Sequence, residues 1–260
     1  MPKLTVNFSE SLARLIRSHD APIDGIEVGP WFSPEKINFL QQEYPEWHFQ
    51  FHASSFITRY QYWRGALDQL HKYLAATQSH WVSLHIELLP ALVYVMSSRF
   101  RLHLTPPGIE KAKSRFIRLL SEVRDAVELP IILENLPALP NEKYAYAANP
   151  SAVSAIVRTT DSGFLLDIPH ARIAASYQGM EAESYLEKLP LERIIQIHVS
   201  GVRTIDGYLR DAHEAMQDED YATLKWVLGR SKPKVVTLEY FRELGALREQ
   251  LWKLREIIAG

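Results

Sequence analysis

The sequence predicts an α/β fold: a single (β/α)8 TIM barrel spanning residues 1–260. Three observations predict it. Strand-like and helix-like segments alternate from one end to the other, with no linker or shift of composition to divide them. The length suits one barrel, a fold of about 250 residues. Finally, run after run of apolar residues ends on an imidazole or a carboxylate: FQFHASS, WVSLHIE, PIILENL, GFLLDIPH, IIQIHVSG and VVTLEYF. Buried strands are expected to be apolar, because an unpaired charge in a low-dielectric interior is costly. Polar groups gathered at strand ends therefore point to a pocket at the carboxyl ends of parallel strands, where barrel enzymes carry their chemistry.

The elements follow in order. Leu4–Phe8 alternates as a short strand and leads into a helical stretch, Ser9–Ser18. GIEVG, Gly25–Gly29, is the second strand. Ser33-Pro34-Glu35 then supplies an N-cap and a first-turn proline for a helix running to Glu43. His48–His52 is the third strand and Tyr60–Ala76 a long amphipathic helix. Trp81–His85 is the fourth strand, Gly108–Val127 a helix, and Pro130–Glu134 the fifth strand. Gly163–Asp167, Ile194–His198 and Lys234–Glu239 complete the eight. Helical segments at Pro150–Arg158, Ala182–Lys188, Asp220–Gly229 and Leu244–Ile258 fill the intervals. Two irregular stretches, Glu87–Pro107 and Asn135–Asn149, follow ligand-bearing strands and should overhang the pocket. The first contains VYVMSSRFRLHL, which reads as a hairpin turning at Ser97-Ser98.

Composition narrows the chemistry. Twenty-nine basic and 31 acidic side chains leave a net charge of -2 with no basic block, which argues against an extended nucleic-acid footprint. Cysteine is absent, so any metal must rest on imidazole and carboxylate rather than thiolate. The opening MPKLTVNFSE has neither signal nor transit character, and no apolar run reaches membrane-spanning length. A cytoplasmic protein without a membrane segment is the expectation.

Nine side chains form the candidate metal set: His52, His85, Glu134, Asp167, His170, His198, Asp211, His213 and Glu239. Carboxylates and imidazoles converging from many strands repel one another, or stay buried at high cost, unless cations join them. A carboxylate can bridge two ions, so a cluster of two or three transition metals fits the set better than one ion. Asp167-x-x-His170 and Asp211-x-His213 each bring a hard and a borderline ligand from one short segment. Five further residues are candidates for holding substrate. Glu27 lies near a strand end and could instead orient a ligand from behind. Arg59 follows the His52 strand. Arg203, Tyr208 and Arg210 make a basic, aromatic stretch between His198 and Asp211, suited to an anionic or peptide substrate. No single residue is assigned as catalytic acid, base or nucleophile. His19, His48, His71, His80 and His103 are read as structural or solvated.

These motifs resemble the xylose-isomerase-like barrel superfamily, and within it the multinuclear non-haem iron-dependent oxidases. The stretch YLEKLPLERIIQIHVSGVRTIDGYLRDAHEAM is similar to that family's leucine-proline segment, strand E-I-H-x-A-G-H and D-T-H element. LENLPAL and GFLLDIPH resemble its L-E-N and L-L-L-D-x-N-N elements. Pro169-His170 stands where the oxidases have Asn-Asn, and this D-x-x-H is similar to the type IV apurinic endonucleases. Ser200-Gly201-Val202 replaces the usual Ala-Gly-His. The resemblance implies that His52, His85 and Glu134 hold one metal, and that Glu134, Asp167, His198 and Glu239 hold a second. His170, Asp211 and His213 would hold a third. It implies an iron-dependent oxidase acting on a small peptide or small molecule, with a separate peptide-recognition protein as a partner. The alternative is a zinc- or manganese-dependent hydrolase, sugar isomerase or epimerase.

Overall fold

The computed structural model describes residues 1–77, 79–88, 106–137 and 146–260. Eight parallel strands form one sheet: β1 (Lys3–Asn7), β2 (Gly25–Val28), β3 (His48–Phe51), β4 (Val82–His85), β5 (Ile131–Glu134), β6 (Gly163–Asp167), β7 (Ile194–Val199) and, last in the chain, β10 (Val235–Leu238). Their spatial order is β3-β2-β1-β10-β7-β6-β5-β4. The two outer strands meet through a parallel bridge between His52 and Ser83, which curls the sheet into a barrel. Side chains supply much of this last seam. The Gln50 amide donates to Trp81 O at 2.8 Å and accepts from His80 N at 3.2 Å, while Phe51 N donates to Ser79 Oγ at 2.8 Å. Among the described residues no helix is long and apolar enough to cross a membrane.

Each expected strand is present, because apolar runs bounded by turn residues bury both faces of a parallel sheet. One face packs on the helices through a large core that includes Leu4, Ile26, Phe49, Leu84, Leu133, Leu166 and Leu238. The other face fills the barrel in layers set by the two-residue period of a strand. Trp81, Ile132, Leu165 and Val235 form a small apolar plug near the amino ends. Above it lie buried polar groups: Thr5, Gln50, Ser83, Gln196 and Thr237. The next inward residues are the strand-end imidazoles and carboxylates.

Three differences from the sequence reading have local causes. The helix expected over Tyr60–Ala76 is two helices, Phe56–Tyr62 and Ala66–Thr77, because Trp63 is extended at φ -141° and ψ 102°. A helix missing from the expectation, Ile168–Tyr177, starts directly at β6. Asp167 caps it by accepting from His170 N, and Pro169 occupies its first turn. The stretch after β7, read as a loop, is an antiparallel hairpin of β8 (Gly201–Ile205) and β9 (Tyr208–Glu214). Its turn residues Asp206 and Gly207 both have positive φ, 51° and 78°, the backbone a two-residue hairpin turn requires. The hairpin anticipated within VYVMSSRFRLHL lies outside the described residues.

Candidate metal centre

Register places the ligand candidates at one height on neighbouring strands. His85 pairs with Glu134 across β4 and β5, and Asp167 pairs with His198 across β6 and β7. Glu239 follows β10, where its N–H donates to Val199 O. The β8–β9 hairpin folds back so that Asp211 and His213 reach the same rim. The ladder slips between Gly201 and Val202, leaving Ala212 and His213 as a bulge, and His213 has φ 44°. A bulge with a strained non-glycine residue re-aims a side chain, here toward the centre. Gly201 is required opposite it: a Cβ there would lie 2.3 Å from Ala215 O.

All nine candidate ligands come together around one cavity of about 530 Å³ or directly beneath it. Glu134 sits centrally. Its Oε2 lies 3.3 Å from His52 Nε2 and 3.4 Å from His85 Nε2, and its Oε1 lies 3.3 Å from His170 Nδ1. His198 Nδ1 is 3.4 Å from Glu239 Oε1 and 4.0 Å from Asp167 Oδ2. Asp211 bridges His170 Nε2 at 3.3 Å and His213 Nδ1 at 3.4 Å. Among the described residues, three groups have donor atoms mutually within 4.8 Å: His52, His85 and Glu134; Glu134, Asp167 and His198; and Glu27, His198 and Glu239.

Neighbouring groups fix which atom each ring presents. His52 Nδ1 contacts Ser83 Oγ at 2.9 Å, leaving Nε2 toward Glu134. His85 Nδ1 contacts Ser55 Oγ at 3.3 Å, again leaving Nε2 inward. His170 Nδ1 donates to Asn135 O at 2.9 Å, so Nε2 is the ring atom that faces Asp211. The Asn135 amide in turn holds Asp167 at both backbone groups, accepting from its N–H at 3.0 Å and donating to its C=O at 2.9 Å. Such orienting partners set ligand geometry and basicity.

The electrostatics are those of an uncompensated cluster. Burial pushes the His52 imidazole down to about 4 despite Glu134. Burial would raise Glu134, but His85 and His52 hold it well below the usual carboxylate range. Burial raises Asp167 well above that range, aided by Glu239 and Glu134 and opposed by His170. His170 and His198 are held well above the imidazole range. Burial opposes this, and it is overcome by Asp167, Asp211 and Glu134 around His170 and by Glu27 and Glu239 around His198. Five buried atoms at this centre lack a hydrogen-bond partner: Glu134 Oε2, Asp167 Oδ2, His198 Nδ1, Asp211 Oδ1 and His213 Nδ1. Orphaned buried acceptors are rare, and a hard or borderline cation satisfies oxygen and imidazole donors of this kind. The donor set therefore fits transition-metal ions.

The residues expected to hold substrate lie elsewhere. Glu27 is fully buried beneath the centre, with Oε1 3.2 Å from His198 Nε2; it faces the ligand and not the cavity mouth. Arg59 is exposed on its helix and does not line the cavity. Arg203 pairs with Glu214 at 3.0 Å, and Tyr208 and Arg210 lie beside it on the hairpin; none of the three lines the cavity. The wall is aromatic instead: Phe8, Trp31, Phe32 and Phe241. Trp31 lies flat over Gly29, where a Cβ would come within 2.0 Å of the indole.

Sequence reasoning passed over this wall and the supporting layer. The signal for the layer was present, since Gln50, Ser83, Gln196 and Thr237 each stand two residues before a ligand candidate, on the same face of the strand.

Known proteins with the same fold include a D-tagatose 3-epimerase-like protein, 18% identical with a TM-score of 0.68 and covering 99% of this chain and 97% of that one. An AP endonuclease, family 2, from Brucella melitensis is 14% identical with a TM-score of 0.61, covering 95% and 96%. At these identities the likeness shows the xylose-isomerase-like barrel alone. In sequence, a UPF0276 protein of Paraburkholderia phytofirmans is 32% identical over 153 residues, 54% of this chain and 48% of that protein. Another, of Chromobacterium violaceum, is 28% identical over 145 residues, 54% and 52%. The matches thus span about half the length of these relatives. Residues 37–259 match the family model described as "RiPP precursor modification enzyme MbnB/TglH/ChrH", and the chain belongs to that family.

Proposed function

We propose that this protein is an iron-dependent oxidase that modifies a RiPP precursor peptide at a centre of two or three metal ions. The observation that carries the reading is the set of orphaned buried donor atoms converging under an open cavity, in a chain of this family. Charge supports more than one ion. Glu27, Glu134, Asp167, Asp211 and Glu239 bring five carboxylates into contact with the cluster's histidines. One divalent ion would leave most of that negative charge uncompensated in a low-dielectric site.

In this reading His52, His85 and Glu134 hold one ion. Glu134, Asp167, His198 and Glu239 hold a second, with Glu134 shared, and His170, Asp211 and His213 hold a third. Bound iron supplies the passage of electrons from the peptide to O2. The protein's own residues do the rest. Asn135 locks the β6 end and with it the Asp167 carboxylate. Ser83 and Ser55 turn Nε2 of His52 and His85 inward. The wall of Phe8, Trp31, Phe32 and Phe241 excludes water on one side of the centre and offers apolar contact to a peptide. This reading places the enzyme in the cytoplasm, with a separate protein recognising the peptide.

One observation favours a second reading. His170 stands in a D-x-x-H pattern and its Nε2 lies 3.3 Å from Asp211 Oδ2, a pairing that supports a third ion beside the centre. A zinc- or manganese-dependent hydrolase, or an isomerase or epimerase like the structural neighbours, would use that. The test is metal-dependent turnover. Anaerobically iron-loaded protein should consume O2 when given a cysteine-containing precursor peptide, and zinc-loaded protein should not, since zinc has no redox chemistry. Zinc-supported phosphoester cleavage, abolished in His170→Asn, would overturn the oxidase reading.

A further inference from the structure

We infer that Trp81, Gln196 and Glu27 form a hydrogen-bonded chain that makes Nδ1, not Nε2, the metal-binding atom of His198, and that they are positioning residues for the centre. The inference rests on the metal reading above. The chain starts from a donor with no ambiguity. The Trp81 indole can only donate, and its Nε1 lies 3.0 Å from Gln196 Oε1. That contact fixes the Gln196 amide, so its NH2 points the other way.

The NH2 has two hydrogens and three neighbours. Glu27 Oε2 lies at 2.6 Å, Thr237 Oγ1 at 2.9 Å and His198 Nε2 at 3.0 Å. The two oxygen acceptors are the nearer pair and take both hydrogens, with Thr237 Oγ1 passing the chain on to Thr5 Oγ1 at 2.8 Å. His198 Nε2 is left without a donor. It must therefore carry its own hydrogen, and the Glu27 carboxylate receives it: Oε1 lies at 3.2 Å and Oε2 at 3.3 Å. Oε2 is the oxygen in hydrogen-bonding geometry with Nε2, and a bare Nε2 lone pair facing two carboxylate oxygens would be repelled. Both arguments give the same answer.

With the hydrogen held on Nε2, Nδ1 is the ring atom left to bind a metal ion. That atom is the one turned to Asp167 and Glu239, and it is buried without a partner. His52, His85 and His170 are held the opposite way, each through Nδ1. His198 is thus turned by a chain running down the barrel axis to the apolar plug, whereas His52, His85 and His170 are each turned by a single neighbouring group.

The test uses zinc as a diamagnetic probe in [15N]histidine-labelled protein. Long-range 1H–15N correlation spectra should show one ring, missing in His198→Asn, bound through Nδ1 with its Nε2–H retained. Glu27→Gln should weaken zinc binding about 10–100-fold, in the range for residues that orient a ligand. Trp81→Phe keeps the ring's bulk and removes only the N–H; it should weaken binding less and broaden or shift the His198 resonances. His198 bound through Nε2 in the wild type would overturn this assignment and leave the metal centre standing. Wild-type zinc affinity in Glu27→Gln would also overturn it. Absence of zinc binding by the wild type would overturn the metal reading and this one with it.

Discussion

The cluster divides into two parts that should respond to pH in opposite styles, and metal uptake can separate them. At the His52, His85 and Glu134 group, burial holds His52 at about 4 and the imidazoles hold Glu134 well below the carboxylate range. Around neutrality neither His52 nor Glu134 carries a proton that an ion must displace. Elsewhere the reverse holds. Against the opposing effect of burial, their carboxylate neighbours keep His170 and His198 well above the imidazole range, so in the metal-free protein both hold their protons to higher pH than a free imidazole. A group with a raised pKa releases its proton on metal binding at any pH below that pKa, and affinity then rises tenfold per pH unit for each proton released. Zinc titrations against a competing chelator between pH 6 and 7.5 should therefore resolve two classes. One equivalent should bind with little pH dependence. The remainder should strengthen as pH rises, through the protons that His170, His198 and Asp167 give up. His170→Asn removes one of those protons and should lower the slope of the later class, with a smaller effect on the first class through Glu134, which His170 touches. A single slope shared by all equivalents, or a steep first class, would refute this division of the site.

Two other outcomes follow from geometry. Glu134→Ala removes the carboxylate that meets His52, His85 and His170, so elemental analysis should show loss of more than one equivalent; wild-type metal content would show that it bridges nothing. Gly201→Ala would force a methyl to within 2.3 Å of Ala215 O, which only movement of the hairpin can relieve. It should cost about 1–3 kcal/mol in urea unfolding and loosen the ions nearest His213, while leaving the pH-insensitive class intact.

Much of this was legible in the sequence, for a physical reason. A parallel strand buried on both faces must be apolar, so His52, His85, Glu134, Asp167, His198 and Glu239 stood out as violations at strand ends. Asp211 and His213 were legible as ligand types, but their delivery by a hairpin was not read, although Ile205-Asp206-Gly207-Tyr208 carries the turn signal. The residues read as substrate contacts do not line the cavity, because charge near a site in sequence says nothing about which face of a hairpin or helix it occupies. Arg59 and Arg203 face outward, while Trp31 and Phe241 reach the cavity from loops whose course depends on tertiary packing. Glu27 was open to two roles in the sequence, and only the fold brings it against His198, 171 positions away.

The seam between β3 and β4 has a consequence for how ions enter and leave. Elsewhere around the barrel adjacent strands are zipped by runs of backbone pairs; here one bridge, a backbone bond from His85 N to Ser54 O and the side chains of Gln50 and Ser79 carry the closure. His52 sits on one lip and His85 on the other, and Ser83, which steadies His52, belongs to the opposite lip. An ion held by both rings is a clasp across the join. Parting the lips separates its ligands without disturbing any other strand pair, so the cheapest local opening of the barrel is also the one that releases this metal. Amide exchange in Phe51, Ala53 and His85 should slow on loading far more than in the strands across the barrel, making occupancy of the centre readable from the backbone alone.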